Sequence, residues 1–201
     1  MSPGRALRRR PSLLAAIAAA GALTLSACSG GGGQAGGGGN TNFVTGSGGI
    51  STVAKGERTE APNIEGTALD GSSLDIADYK GKVVVLNFWG SWCGPCRAEA
   101  KHFAKVSEEM KDQGVQFVGV NTRDPQKSLA VAFEEDFGVT YPSLYDPTGK
   151  LLLRFPKGTL NPQAIPSTVV VDRQGKLAAR TLAALDAEKL RKMIDPLVAE
   201  K

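Results

Sequence analysis

Apolar positions run along this chain in three different patterns, and each predicts a different kind of structure. Leu13 to Leu25 is a predominantly apolar run of 13 residues. It is too short for a helix that crosses a membrane, which needs about 20. Ser29 to Gly49 has no periodicity and holds 11 glycines without a single Lys, Arg, Asp or Glu. Such a stretch buries too little surface to order itself and reads as a flexible tether. From Glu57 onward the pattern is that of a folded domain. Val83 to Trp89 is a near-continuous apolar run, the mark of a central strand covered on both faces. A Gly90-Ser91 turn leads into a helix that runs to about Gln113 and stops at Gly114. Val115–Val120 predicts a second strand. Gln126–Phe137 predicts a helix, with Gly138 as its stop. Leu151–Phe155 and Thr168–Asp172 read as further strands. Arg173-Gln174-Gly175-Lys176 is a turn into Leu177–Thr181. Asp186–Val198 is an amphipathic helix, with Leu190, Met193, Ile194 and Leu197 at helical spacing. The order strand, helix, strand, helix, strand hairpin, helix is an α/β fold with a mixed sheet flanked by helices.

Charge changes the picture only at the start. The chain has 201 residues and a formal net charge of +4, with a pI near 9.0. Arg5, Arg8, Arg9 and Arg10 all precede the first apolar run, and without them the chain is formally neutral. The basic balance therefore says nothing about nucleic acid, and no nucleic-acid partner is expected. Basic residues, an apolar run and a small-residue stop form the plan of a secretory signal peptide. The run ends in Leu25-Ser26-Ala27-Cys28, which resembles a bacterial lipobox. That resemblance implies cleavage before Cys28, a lipid on its sulfur and an extracytoplasmic protein anchored to the cell membrane. The plainer alternative is a secreted protein with a chance cysteine. The expected organisation is a signal peptide over 1–27, a lipidated cysteine and Gly-rich linker over 28–56, and a domain over 57–201.

Composition excludes two classes. Three cysteines are too few for a disulfide-stapled mini-protein, and a single histidine, His102, cannot build a multi-histidine metal site. The remaining chemistry sits in Trp92-Cys93-Gly94-Pro95-Cys96, two cysteines one turn apart where a strand hands over to a helix. A helix N-terminus carries free N–H groups and partial positive charge, which lower the pKa of a thiol placed there. Cys96 is then close enough to attack a mixed disulfide on Cys93. Pro95 suits the first helical turn, where its missing N–H is not needed. Structural zinc would need two more ligands. Haem attachment would need His after Cys96, where Arg97 stands. A static disulfide would close a very small loop. The spacing therefore favours a redox-active Cys93–Cys96 pair with no metal and no other cofactor.

Glu99 is the informative residue beside them. With Phe103 at zero and about 100° per residue, Cys96 falls at about +20°, Glu99 at about −40° and Val106 at about −60°. Glu99 thus lies inside the apolar stripe, where a carboxylate is costly and its pKa should rise. Three residues after Cys96, it is placed to handle a thiol proton. The alternative is a first-turn glutamate favoured by the helix dipole. Glu134, Glu135 and Asp136 read as a solvated helix face.

The run from Leu86 to Glu99, with Tyr141–Lys150 and Ile165–Lys176, is similar to the TlpA/ResA-like family of membrane-tethered thiol-disulfide oxidoreductases. The resemblance implies a thioredoxin fold with an N-terminal hairpin extension and an inserted helix. It implies that Pro166 is a cis-proline, and that Trp92, Gly94, Pro95, Ile165 and Pro166 meet the substrate. It gives Cys93 and Cys96, with Glu99, the catalytic roles. It also implies a disulfide-bearing protein substrate such as apocytochrome c, and a membrane electron donor of the CcdA type. The protein is expected to act as a monomer. Thioredoxins themselves carry an aspartate where this chain has Asn87, which cannot exchange protons, so Glu99 becomes the better candidate for handling the proton. A disulfide oxidase or isomerase is the alternative direction. A peroxiredoxin would need Thr or Ser three residues before its cysteine, where Gly90 stands. A copper chaperone would need a wider cysteine gap and a downstream histidine.

Overall fold

The computed structural model describes residues 41–200. In chain order its elements are β1 (Val44–Thr45), β2 (Ile50–Thr52), β3 (Glu65–Thr67), β4 (Ser73–Asp75), β5 (Val83–Trp89), α1 (Gly94–Met110), β6 (Val115–Thr122), α2 (Lys127–Phe137), β7 (Ser143–Asp146), β8 (Ser167–Val171), β9 (Leu177–Thr181) and α3 (Ala187–Ala199). Seven strands form one mixed sheet in the order β1-β2-β9-β8-β5-β6-β7, and β3 and β4 form a separate hairpin. β5, β6 and β7 are parallel, while β8 and β9 run antiparallel to their neighbours.

The two faces of β5 define two cores. Val84, Leu86 and Phe88 point to one side, packed with Ile64, Leu74, Val169 and Phe155. Val83 and Val85 point to the other, against Phe103 and Val106 of α1 and Leu190 and Ile194 of α3. A third cluster joins Trp89, Cys93, Cys96 and Ala100 to Ala130 and Phe133 of α2. The Trp89 and Phe133 rings stack at 4.3 Å, which locks the inserted helix against the redox end of the sheet. Gly114 and Gly138 both end their helices in left-handed backbone.

Two expectations need correction. Leu151–Phe155 is not a strand: Leu151–Arg154 forms a short 3-10 helical turn. The Asp146 carboxylate accepts the N–H groups of Lys150 and Leu151 at 3.0 and 2.8 Å, and this winds the chain up instead of extending it. The strand in this part of the chain is β7, slightly earlier. The ordered chain also starts before Glu57. β2 pairs antiparallel with β9, and β1 folds back onto β2. Phe43, Ile50 and Val53 are each under a tenth exposed, so three apolar side chains scattered among glycines suffice to dock this segment. Gly48 and Gly49, at φ of +76° and +79°, supply the reversal between the two strands. The expected signal peptide and Cys28 lie outside the described residues.

Arg58 fastens this N-terminal part to the C-terminus. Its guanidinium donates to Asp172 at 3.0 Å, to Glu200 at 2.7 Å and to the Val53 carbonyl at 3.2 Å. The Arg58 and Asp172 side chains are only 4% and 5% exposed. Removing one partner of a buried ion pair leaves the other charge without compensation. Arg58→Ala should therefore lower the unfolding free energy by about 3–5 kcal/mol, read from urea unfolding at neutral pH. A change below about 1 kcal/mol would place this pair with surface ion pairs instead.

Candidate functional site

The site is assembled where β5 ends. Cys93 is the N-cap of α1, and Pro95 lies in the first turn. Cys93 and Cys96 are joined by a disulfide, with their Cα atoms 5.2 Å apart. The Cys96 backbone N–H donates to Cys93 Sγ at 3.2 Å. This sulfur thus takes the place of a capping oxygen and receives a helix N–H donor, an arrangement that favours negative charge on it after reduction.

The expected cis-proline is present as the Ile165–Pro166 bond. It sets the Ile165 carbonyl oxygen 3.7 Å from Cys93 Sγ. Pro166 is buried and Ile165 partly exposed, while Gly94 and Pro95 are exposed at the helix start. Trp92 is 52% exposed and forms the rim beside Cys93. Gly90 makes room for it: a Cβ there would stand 2.6 Å from the indole nitrogen.

Glu99 lies inside the protein, as the helical wheel predicts, at 2% exposure. Asn87 Nδ2 donates to one carboxylate oxygen at 2.9 Å, and the Leu185 N–H donates to the other at 2.9 Å. Burial pushes the Glu99 carboxyl up to about 7, against the opposing effect of these two hydrogen bonds. Asn87 also donates to Thr168 Oγ1 at 3.3 Å, so its amide ties β5 to both α1 and β8. A protonated Glu99 must direct its O–H away from Leu185, whose N–H can only donate. The Asn87 amide can turn its oxygen to receive it, and so fits both states of the acid.

Several residues here were not singled out by the sequence. Asp124 is fully buried. It accepts the Ser91 N–H at 2.8 Å, the Ser91 hydroxyl at 2.5 Å and Asn121 Nδ2 at 2.6 Å. The turn before Cys93 is thereby tied to the end of β6. Little marks Asp124 locally, because the turn it ties down, at Ser91, lies 33 residues earlier in the chain. Arg123 places its guanidinium carbon 5.0 Å from the Trp92 ring centroid. Arg97, next to Cys96, lies 5.0 Å from Phe137 and 5.8 Å from Phe133. Glu134 departs from the solvated face expected of it: it is only partly exposed, and burial pushes its carboxyl up to about 7. Glu135 and Asp136 are exposed as expected. Among the described residues, no group of three or more His, Cys, Asp or Glu side chains is placed to hold a metal ion.

Comparison with known proteins agrees with this geometry. Residues 58–180 match the AhpC/TSA family. The thiol-disulfide oxidoreductase ResA of Geobacillus kaustophilus is 32% identical over 78% of this chain and 84% of its own length. Two solved structures superpose on the chain. A DsbF homologue from Corynebacterium diphtheriae is 40% identical, with a TM-score of 0.69, over 76% of this chain and 95% of its own. A secreted thiol-disulfide isomerase from Corynebacterium glutamicum is 32% identical, with a TM-score of 0.72, over 81% of this chain and all of its own. A Cys-x-x-Cys disulfide at a helix N-terminus, a facing cis-proline and these relatives identify the chain as a member of the AhpC/TSA family and, within it, a thioredoxin-fold thiol-disulfide oxidoreductase of the ResA kind.

Proposed function

We propose that this oxidoreductase works as a reductase outside the cytoplasm, held at the membrane by lipid on Cys28. The observation that carries the exchange chemistry is the Cys96 N–H directed at Cys93 Sγ, and the reductive direction is taken from the resemblance to the TlpA/ResA-like family. That N–H stabilises a Cys93 thiolate, the attacking species. That thiolate attacks a substrate disulfide, forms a Cys93–substrate disulfide and releases one substrate thiolate. Cys96 then loses its proton to Glu99 and attacks Cys93 Sγ, which releases the second substrate thiolate. Two electrons pass to the substrate, and the protein is left with the Cys93–Cys96 bridge. The client class is an exported protein with a disulfide, with the haem-binding cysteine pair of apocytochrome c as the leading case. A membrane dithiol donor of the CcdA type returns the two electrons. The relatives support an extracytoplasmic setting, since one is named as secreted. No helix among the described residues is long and apolar enough to cross a membrane.

Three measurements test this reading. Reduced wild-type protein should reduce insulin and apocytochrome c disulfides. Cys93→Ser should abolish this, and Cys96→Ser should accumulate a mixed disulfide visible on non-reducing gels. Unchanged activity in Cys93→Ser would refute the mechanism. A redox titration should give a potential below about −200 mV; one near about −120 mV would make the protein an oxidase or isomerase instead.

The third measurement concerns Glu99. Its folded pKa of about 7 lies above its ordinary value of 4.5. Between these values the unfolded chain has released the proton and the folded chain still holds it. Stability of the oxidised protein should therefore fall as pH rises from about 4.5 to 7 and level off above, a loss of about 3 kcal/mol. Glu99→Gln should remove that part of the slope in urea unfolding. It should also slow resolution by Cys96 at least about tenfold above pH 7, where the wild-type carboxylate is ionised. Identical slopes in the two proteins would mean that Glu99 is already ionised in the folded state at low pH.

A further inference from the structure

Arg123 occupies an unusual position that thiol–disulfide exchange itself does not call for. Its backbone has a φ of +60°, a left-handed conformation uncommon for a residue with a side chain. Residues held in such conformations concentrate at functional sites, and the surrounding contacts must enforce them. Here they do. The Arg123 N–H donates to the Asp146 carbonyl at 3.1 Å. Its stem runs past Gly149, where a Cβ would stand 3.4 Å from Arg123 Cγ. Its guanidinium lies over Trp92. The next residue, Asp124, anchors Ser91, so the turn that carries Arg123 and the turn that leads into Cys93 are one unit.

This arginine forms no ion pair among the described residues. The adjacent Asp124 carboxylate is engaged by Ser91 and Asn121. Arg123 Nε and Nη2 are buried without a hydrogen-bond partner, while the residue as a whole is partly exposed. Arg97, immediately after Cys96, is likewise held against aromatic rings and forms no ion pair among the described residues. Stacking fixes a planar guanidinium without consuming its charge, and so prepares it to receive a carboxylate. Glu99 does not offset these charges at the surface, because it is buried against Asn87 and Leu185.

We propose that Arg123, supported by Arg97, makes an anion-binding rim beside Cys93 that selects protein substrates with aspartate or glutamate flanking their reacting cysteines. The inference rests on thiol–disulfide exchange by the chain and is independent of its physiological direction. Arg123 acts here as a specificity residue, through charge presented beside Trp92.

The test uses the full-length reduced protein and three synthetic peptides with one intramolecular disulfide each. The peptides differ only in whether two flanking positions are Glu, Gln or Lys. Single-turnover rate constants should be about tenfold higher for the Glu than for the Lys peptide at low ionic strength, and should converge to within about twofold at high salt. Arg123→Gln should bring the Glu-to-Lys ratio below about threefold, while Arg123→Lys should keep most of it. A packing role alone would lower all three rates together and leave the ratio at its wild-type value, which would overturn the proposal. So would a wild-type ratio near one, or a ratio indifferent to salt, and both are measurable even where Arg123→Gln does not fold. Absence of reaction with all three peptides would instead remove the exchange activity, and the rim with it.

Discussion

One carboxylate inside the protein must be accommodated before anything else at this site can work. Glu99 lies in the apolar stripe of α1, where an ionised group without partners would be strongly destabilising. Asn87 from the central strand and the Leu185 N–H from the approach to α3 are what make it tolerable. These two bonds hold three parts of the fold in register behind the cysteines. They also explain why the strand carries an amide and not an acid: a second carboxylate facing Glu99 would place two like charges in one dry space.

The disulfide itself stands on a second set of constraints. β5 is buried on both faces, so its path is fixed and it delivers the helix N-terminus to one place. Asp124 ties the intervening turn from one side, and the loop that carries Pro166 closes from the other. That loop has its own anchor. The Arg180 guanidinium donates to the carbonyls of Gly158 and Thr159, and Phe43 from the N-terminal segment lies against its other face at 4.6 Å. The segment preceding the cis-proline is thus supported by residues from both ends of the domain.

The parts of this arrangement visible in the sequence share a cause: each is encoded by spacing within one element. Val83–Trp89 is apolar but for Asn87 because both faces are covered, and Cys93, Cys96 and Glu99 fall on one helix where the wheel can be drawn. What stayed hidden depends on pairing between distant elements. Asp124 and Arg123 sit after a strand in an unremarkable polar stretch, and their roles come from Ser91 and Trp92 some 30 residues away. Glu134 looked solvated because its helix face is acidic, yet the neighbouring segments partly cover it. Residues 41–56 read as tether because they continue a Gly-rich stretch, while three apolar side chains and a free edge of β9 decide the outcome.

That N-terminal addition has a consequence for how the molecule behaves among its own kind. An open β-strand is a template onto which another chain can add. Here β2 occupies the outer side of β9, leaving β1, only two residues long, as the margin. At the opposite margin, the outer side of β7 is bridged by Ala68 to Leu144, and the Leu69 N–H donates to the Ser143 carbonyl at 2.8 Å. The sheet therefore ends on both sides in short or occupied strands. Many copies can crowd together without a long exposed ladder through which one could recruit the next into an aggregate.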